Sequence, residues 1–377
     1  MNKKKFFKFL VCVTFQMILL SSCSNPETEP VIPVRDKPTS IPTILPSESP
    51  TLSPVPTTMQ GIDDQALGLS EDEIATLRSL EKVADYPLYT MHYFGSYQQE
   101  AAMQLGKPPA GNHISVQPSW GCSLFAALGD GENMLYGRNF DWEYSPALLL
   151  YTEPPDGYAS ASMVDLAYLY DTQAEIQDLS EAPLAARFPL LETPAWPFDG
   201  INERGLVVGM AAVPSDGNMQ IDPQKETIYS LPMIREMLDH AADVQEAVAL
   251  MENYNLLFGG PPLHYLLADS TGRSALVEFY QSKMVVTYNE HPWQVATNFL
   301  CAPEGACNPD RCWRYDTINE RLEETQGQLR IQQGMGLLAD VSQEGTQWSV
   351  LYGLSSGEIN LAMGREHEKV YRLYLEP

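Results

Sequence analysis

The sequence predicts an α+β fold in which antiparallel sheets carry helices on their outer faces. Three observations lead there. Apolar runs of strand length recur along the chain and are bounded by turn residues. They come in adjacent pairs joined by short turns, not one-for-one with helices, which disfavours βαβ units. Helical periodicity is confined to one early, one central and two late stretches.

The elements follow in order. Ser70-Glu71-Asp72-Glu73 is a capping-box pattern ahead of an amphipathic run from Ile74 to Val83. The aromatic stretch from Tyr86 to Tyr97 is β-like. Cys122–Leu128 and Asn133–Arg138 read as a hairpin turned by Gly129-Asp130-Gly131-Glu132. Leu148–Thr152 is a further strand. Asn202-Glu203-Arg204-Gly205 turns into a buried-type strand, Leu206–Val213. Pro232–Glu252 has helical spacing that restarts at Asp243. Strands are expected at Leu263–Ala268, Ser274–Phe279, Lys283–Tyr288 and Gln294–Thr297, and helices at Trp313–Thr325 and Gln328–Leu338. Thr346–Tyr352, Glu358–Met363 and Lys369–Leu373 close the chain as strands.

The N-terminal end is of a different kind. Lys3, Lys4, Lys5 and Lys8 precede an apolar run from Phe9 to Leu20, which ends in Leu20-Ser21-Ser22-Cys23. This is the form of a bacterial lipoprotein signal over residues 1–22, with Cys23 expected to carry lipid. The run is short for a membrane span. Between Ser24 and Met59 nine prolines are interleaved with Ser and Thr, and no aromatic residue occurs. Such a composition cannot bury enough apolar surface to offset ordering entropy, so residues 23–60 are expected to be an extended tether. The expected location is therefore extracytoplasmic, on a membrane through lipid. A net charge of −26 argues against nucleic acid as a partner.

Several chemistries are excluded by what is missing. There is no HExxH, Walker loop or full GxGxxG. The six histidines are scattered and the cysteines form no CxxC, so neither metal nor cofactor is expected. Two of Cys301, Cys307 and Cys312 can pair as a disulfide outside the cytoplasm. Cys122 stands apart and follows Gly121. A papain-like enzyme would need His264 or His291 as its partner, and neither lies in a matching context. Another design needs no side-chain base. If the peptide bond before Cys122 is cut, the freed α-amine titrates near neutrality and sits on the same residue as the thiol. Gly121, without a Cβ, lets that bond bend towards the thiol. Arg138 and Asp141 lie sixteen and nineteen positions after Cys122, where the hairpin returns them to it. The guanidinium would favour the thiolate, and the carboxylate would hold the amine.

These residues, within "YGRNFDWEYS", resemble the choloylglycine hydrolase and penicillin V acylase group of N-terminal-nucleophile hydrolases. "DGINERGLVVGMA" (Asp199–Ala211), "PLHYLLADSTGRSALVEF" (Pro262–Phe279), "VATNF" (Val295–Phe299), "CWRYDTI" (Cys312–Ile318) and "GTQWSVLY" (Gly345–Tyr352) continue the likeness in order. It implies a four-layer αββα sandwich and hydrolysis of linear amide C–N bonds in small N-acyl substrates. It further implies Cys122 as nucleophile, Arg138 and Asp141 as its tuning residues, and Asn298 as an oxyanion donor. Arg314 would support the nucleophile region, and Asn202 would be structural. Where the group carries an oxyanion asparagine this chain has Ala212, which leaves only a backbone N–H to donate. The long stretch ahead of Cys122 is more like the isopenicillin N acyltransferase and acid-ceramidase-like relatives, which cut internally. Residues 61–121 would then be a pro-segment or N-terminal subunit, and residues 122–377 the catalytic domain. The same acyl-enzyme would serve an acyltransferase, and a non-catalytic binding lipoprotein is the competing class.

Overall fold

The computed structural model describes residues 68–97, 121–170, 173–215, 219–302 and 312–375. The signal, Cys23, the tether and Cys307 lie outside them.

Two sheets dominate. The larger has nine strands, in the spatial order Glu81–Ala84, Leu88–Tyr93, Ala147–Thr152, Ser160–Asp165, Pro197–Asn202, Val207–Ala212, Leu263–Ala268, Ser274–Tyr280 and Lys283–Tyr288. The smaller has six: Trp293–Ala296, Ser123–Ala127, Leu135–Asp141, Thr346–Gly353, Glu358–Met363 and Tyr371–Tyr374. Pairing is antiparallel throughout both, except that Leu88–Tyr93 runs parallel to Ala147–Thr152. A separate parallel pair joins Glu226–Tyr229 to Tyr254–Leu257.

Strand alternation explains the layering. Leu124, Ala126, Tyr136 and Phe140 of the small sheet meet Met163, Ile201, Val207 and Leu266 of the large one in a shared core. The opposite faces are covered by helices. Ser230–His240 and Val244–Met251 pack Met233, Met237, Val244 and Val248 onto the large sheet. Glu71–Arg78 and the 3₁₀ segment Leu184–Ala195 cover its other half. Trp313–Thr325 and Ile331–Asp340 cover the small sheet through Ile318, Leu322, Leu337 and Leu338. The expected αββα order is therefore present. At the sheet–sheet contact Gly209 admits Tyr136, since a Cβ there would lie 2.5 Å from its hydroxyl oxygen. That hydroxyl donates to the Leu266 carbonyl at 2.9 Å and so ties the two sheets together.

Local signals had local consequences. Ser70 and Glu73 form the reciprocal capping box, and Asp243 caps the helix that begins at Val244. The first helix is shorter than its apolar pattern predicts. It ends at Arg78, and Glu81–Ala84 becomes an edge strand paired with Leu88–Tyr93. The stretch ahead of Gly121 thus contributes a helix and two strands to the large sheet.

Asp165, fully buried at the end of its strand, accepts from the Ala167 N–H at 2.9 Å. Burial outweighs the hydrogen bonds it receives and pushes its carboxyl up to about 7. Between the unfolded carboxyl's ordinary value near 4 and that point, the native state binds the extra proton. Stability therefore falls as pH rises through this window. Asp165→Asn is expected to remove the fall: a higher urea midpoint than wild type at pH 8, worth at most about 4 kcal/mol, that fades by pH 4. Equal midpoints at pH 8 would contradict it.

Candidate active site

Cys122 enters the small sheet one residue before Ser123–Ala127. The hairpin register pairs Leu124 with Arg138 and Ser123 with Asn139. Alternation then puts Cys122, Leu124, Arg138 and Phe140 on the face that looks into the sandwich. The expected return of Arg138 to Cys122 is realised: Arg138 Nη2 donates to Cys122 Sγ at 3.9 Å. Burial pushes the thiol up, Arg138 pulls it down, and Asp141 pushes it up again.

Arg138 is itself held from behind. Its Nη1 donates to the Phe198 carbonyl at 2.6 Å and pairs with the carboxylate of Asp199. Tyr352 donates to the other Asp199 oxygen at 2.5 Å, and all three side chains are fully buried. Asp199 was not singled out from the sequence as a site residue. The available signal was an acid within an apolar strand, which demands a buried partner.

Asp141 sits at the end of its strand, 1 % exposed. It accepts from Thr346 Oγ1 and, at 2.7 Å, from Gln343 Nε2. Burial pushes its carboxyl up; Arg314, Thr346, Gln343 and Arg138 act against that. Gln343 also donates to the Gly121 carbonyl at 2.8 Å. Nothing in the sequence pointed to Gln343.

Arg314 leaves the first turn of the helix Trp313–Thr325 and reaches back to the nucleophile. Its Nη1 donates to the Gly121 carbonyl at 2.9 Å, the Cys122 carbonyl at 2.6 Å and Ser123 Oγ at 2.9 Å. Its Nη2 donates to Asn298 Oδ1 at 3.0 Å. The pairing of Ala296 with Leu124 carries Asn298, two residues on, to the level of Cys122. Asn298 Nδ2 then donates to the Ala212 carbonyl at 2.8 Å. One amide hydrogen is used there and the other stays available. On the large sheet the Val213 N–H donates to the Pro262 carbonyl. Antiparallel alternation therefore turns the Ala212 N–H away from that neighbour. Cys122, Arg138, Asp141, Ala212, Asn298 and Arg314 are thus gathered at one end of the sandwich.

The remaining candidates are engaged elsewhere. His264 Nδ1 lies 3.3 Å from Glu278 Oε1 in the core, and His291 stacks on Trp293 with ring centroids 4.8 Å apart. Asn202 is structural as expected: its amide donates to the Leu238 and Ala241 carbonyls. Cys301 and Cys312 are disulfide-bonded, while Cys122 is a free, buried thiol. Among the described residues no cluster of His, Cys, Asp or Glu could hold a metal. Glu278, which the sequence did not suggest, accepts from the Cys301 N–H at 2.7 Å and the Ala302 N–H at 2.5 Å, just beyond Asn298.

Residues 122–299 match the model of the linear amide C-N hydrolases, choloylglycine hydrolase family. That stretch, a little under half of the chain, is what is similar to the family. The match opens on Cys122 itself and ends one residue past Asn298. Solved structures of low identity are similar to the chain as well. Conjugated bile acid hydrolase from Clostridium perfringens is 17% identical, over 67% of this chain and 92% of that one, with a TM-score of 0.49. Penicillin V acylase from Agrobacterium tumefaciens is 16% identical, over 67% of this chain and 86% of that one, with a TM-score of 0.47. A curated relative, an uncharacterised protein of Paramecium bursaria Chlorella virus 1, is 25% identical over 115 residues. That alignment spans 28% of this chain and 41% of the relative, less than half of its length.

Proposed function

We propose that the protein is a cysteine amidohydrolase that cleaves linear amide C–N bonds of small N-acyl compounds through a thioester on Cys122. The observation that carries this reading is the free, buried Cys122 thiol with the Arg138 guanidinium 3.9 Å from its sulfur. We also propose that the chain is first cut between Gly121 and Cys122, which frees the α-amine that serves as base. Cys23 carries lipid, and the tether holds the enzyme outside the cytoplasm. The upstream piece stays bound, because its strand Leu88–Tyr93 is hydrogen-bonded along its length to Ala147–Thr152.

The reaction then runs as follows. The α-amine takes the thiol proton, and Sγ attacks the amide carbonyl carbon. Charge develops on the carbonyl oxygen, where the free hydrogen of the Asn298 amide and the Ala212 N–H receive it. The protonated amine passes its proton to the leaving nitrogen, the C–N bond breaks, and the product amine departs. Water, deprotonated by the same α-amine, opens the thioester and releases the acid. Arg138 favours the thiolate throughout, and Asp141 orients the amine. If a second amine takes the place of water, the same site transfers the acyl group.

The test uses the chain from Gly61 onwards. Its products from a panel of N-acyl amino acids, bile-acid conjugates and penicillin V are followed by mass spectrometry. The expected result is equimolar acid and amine from at least one class, with an acyl adduct on the peptide that begins at Cys122. A protein that binds such compounds and releases neither product would instead be a binding lipoprotein.

A further inference from the structure

The Gly121 carbonyl is the acceptor that most needs explaining. It is the oxygen of the peptide bond ahead of Cys122, and it receives Arg314 Nη1 at 2.9 Å and Gln343 Nε2 at 2.8 Å. Two N–H donors converging on one carbonyl are the arrangement that stabilises charge on that oxygen in acyl transfer. Neither donor is an Asn298 or Ala212 group; those two are bonded to each other, beyond Arg314.

We propose that Gln343 and Arg314 form a second oxyanion site, which serves only the one-time cleavage of the Gly121–Cys122 bond. This rests on the reading of an internally cut precursor. In the step, Cys122 Sγ bonds to the Gly121 carbonyl carbon, and the π electrons move onto the oxygen held by Gln343 and Arg314. The Gly121–Cys122 C–N bond then breaks and the carbonyl re-forms as a thioester. The thiol's proton ends on the departing nitrogen, which becomes the α-amine. Water adds to the thioester and the C–S bond breaks, leaving a Gly121 carboxylate and a free Cys122 thiol. Gln343 is thus a catalytic residue of self-cleavage.

The same geometry gives Gly121 its reason. A Cβ there would lie 1.9 Å from Gln343 Nε2 and 3.1 Å from Asp141 Oδ2. Any side chain at 121 would expel the donor from the carbonyl it serves. The arrangement also divides the labour of Arg314: one nitrogen faces the bond that is cut once, the other steadies the asparagine that faces substrate.

Gln343 has a second contact, with Asp141 at 2.7 Å, so the experiment must separate donation to Gly121 from support of Asp141. Thr346→Val removes the other side-chain donor to Asp141, and with it the acceptor of the Gln343 backbone N–H, while the Gln343 side-chain donor to Gly121 is kept. Cleavage of the chain from Gly61 onwards is timed by intact mass. Gln343→Met, close in size but without the donor, is expected to slow the cut by about 10²–10³-fold. Gly121→Ala is expected to do the same by displacement. Thr346→Val should stay within about tenfold of wild type, a far smaller loss than that of an oxyanion donor. Gln343→Glu reads the same quantity should the Met variant fail to fold. Equal rates in wild type and the Gln343 variants would overturn the second site alone, as would a Thr346→Val loss as large as that of Gln343→Met. A wild type that stays whole would overturn the precursor reading, and the second site with it.

Discussion

Cys122→Ala is expected to give a chain that stays in one piece and turns over no amide. Both outcomes have one cause. On the proposed mechanism the thiol is the nucleophile for the bond behind it and for the substrate's bond, and the amine that assists it exists only after the first cut. Losing the nucleophile of such a unit costs about 10⁴-fold or more, because the remaining groups only bind and polarise. Cys122→Ser separates the two roles. Its hydroxyl fits the place of the thiol but gains less from Arg138, since an alkoxide lies far above a thiolate in basicity. A slow cut with very low turnover is the expected result. The measurements are intact mass for the cut and product release per enzyme for turnover. Wild-type turnover in Cys122→Ala would place the nucleophile elsewhere and end the proposal. The Cys122 thiol is the free one among the described residues, so a thiol reagent's adduct mapped to the peptide that begins at Cys122 reports on the same group.

What the sequence disclosed about this site follows from hairpin geometry. Sixteen residues with a tight turn in the middle can only return the second strand to the first, and Leu124 does pair with Arg138. Asn298 and Arg314 were legible through family likeness alone. Their meeting depends on an edge strand and a helix that pack against the nucleophile strand from the other end of the chain. Strong local signals set their own limits: Leu263–Ala268, Lys283–Tyr288, Trp313–Thr325 and Glu358–Met363 begin and end where patterning predicts. Ser160–Asp165 was not predicted as a strand, because the alternation in "SASMVD" is short and rests on Ala161 and Met163 alone. Its serines are buried because Arg235, on a helix far along the chain, donates to Ser160 Oγ at 2.8 Å and to Ser162 Oγ at 2.7 Å. Gln343 is similar. Its worth lies in reaching Gly121 and Asp141 across more than two hundred residues of sequence. Periodicity reports burial along one element. It is silent on polar groups whose partners come from elsewhere.

Asp199→Ala is expected to lower stability by about 3–5 kcal/mol, the cost of leaving a buried charge without its partner. Arg138 is fully buried, and the Asp199 carboxylate is the opposite charge paired with it. The Tyr352 hydroxyl would lose its acceptor in the same change. The size of the effect identifies its origin only through a cycle. Arg138→Met removes the charge instead of stranding it, so Arg138→Met with Asp199→Ala should be more stable than Asp199→Ala alone. Arg138→Met and the double variant should both lack activity, since neither presents a guanidinium to the Cys122 sulfur. Stability and catalysis therefore part company in the double variant: urea midpoints recover and product formation does not. If Asp199→Ala unfolds at the wild-type midpoint, water must reach Arg138, and the dry, fixed guanidinium on which the tuning of Cys122 depends would be wrong. If the double variant regains turnover, Arg138 acts on the fold and not on the thiol.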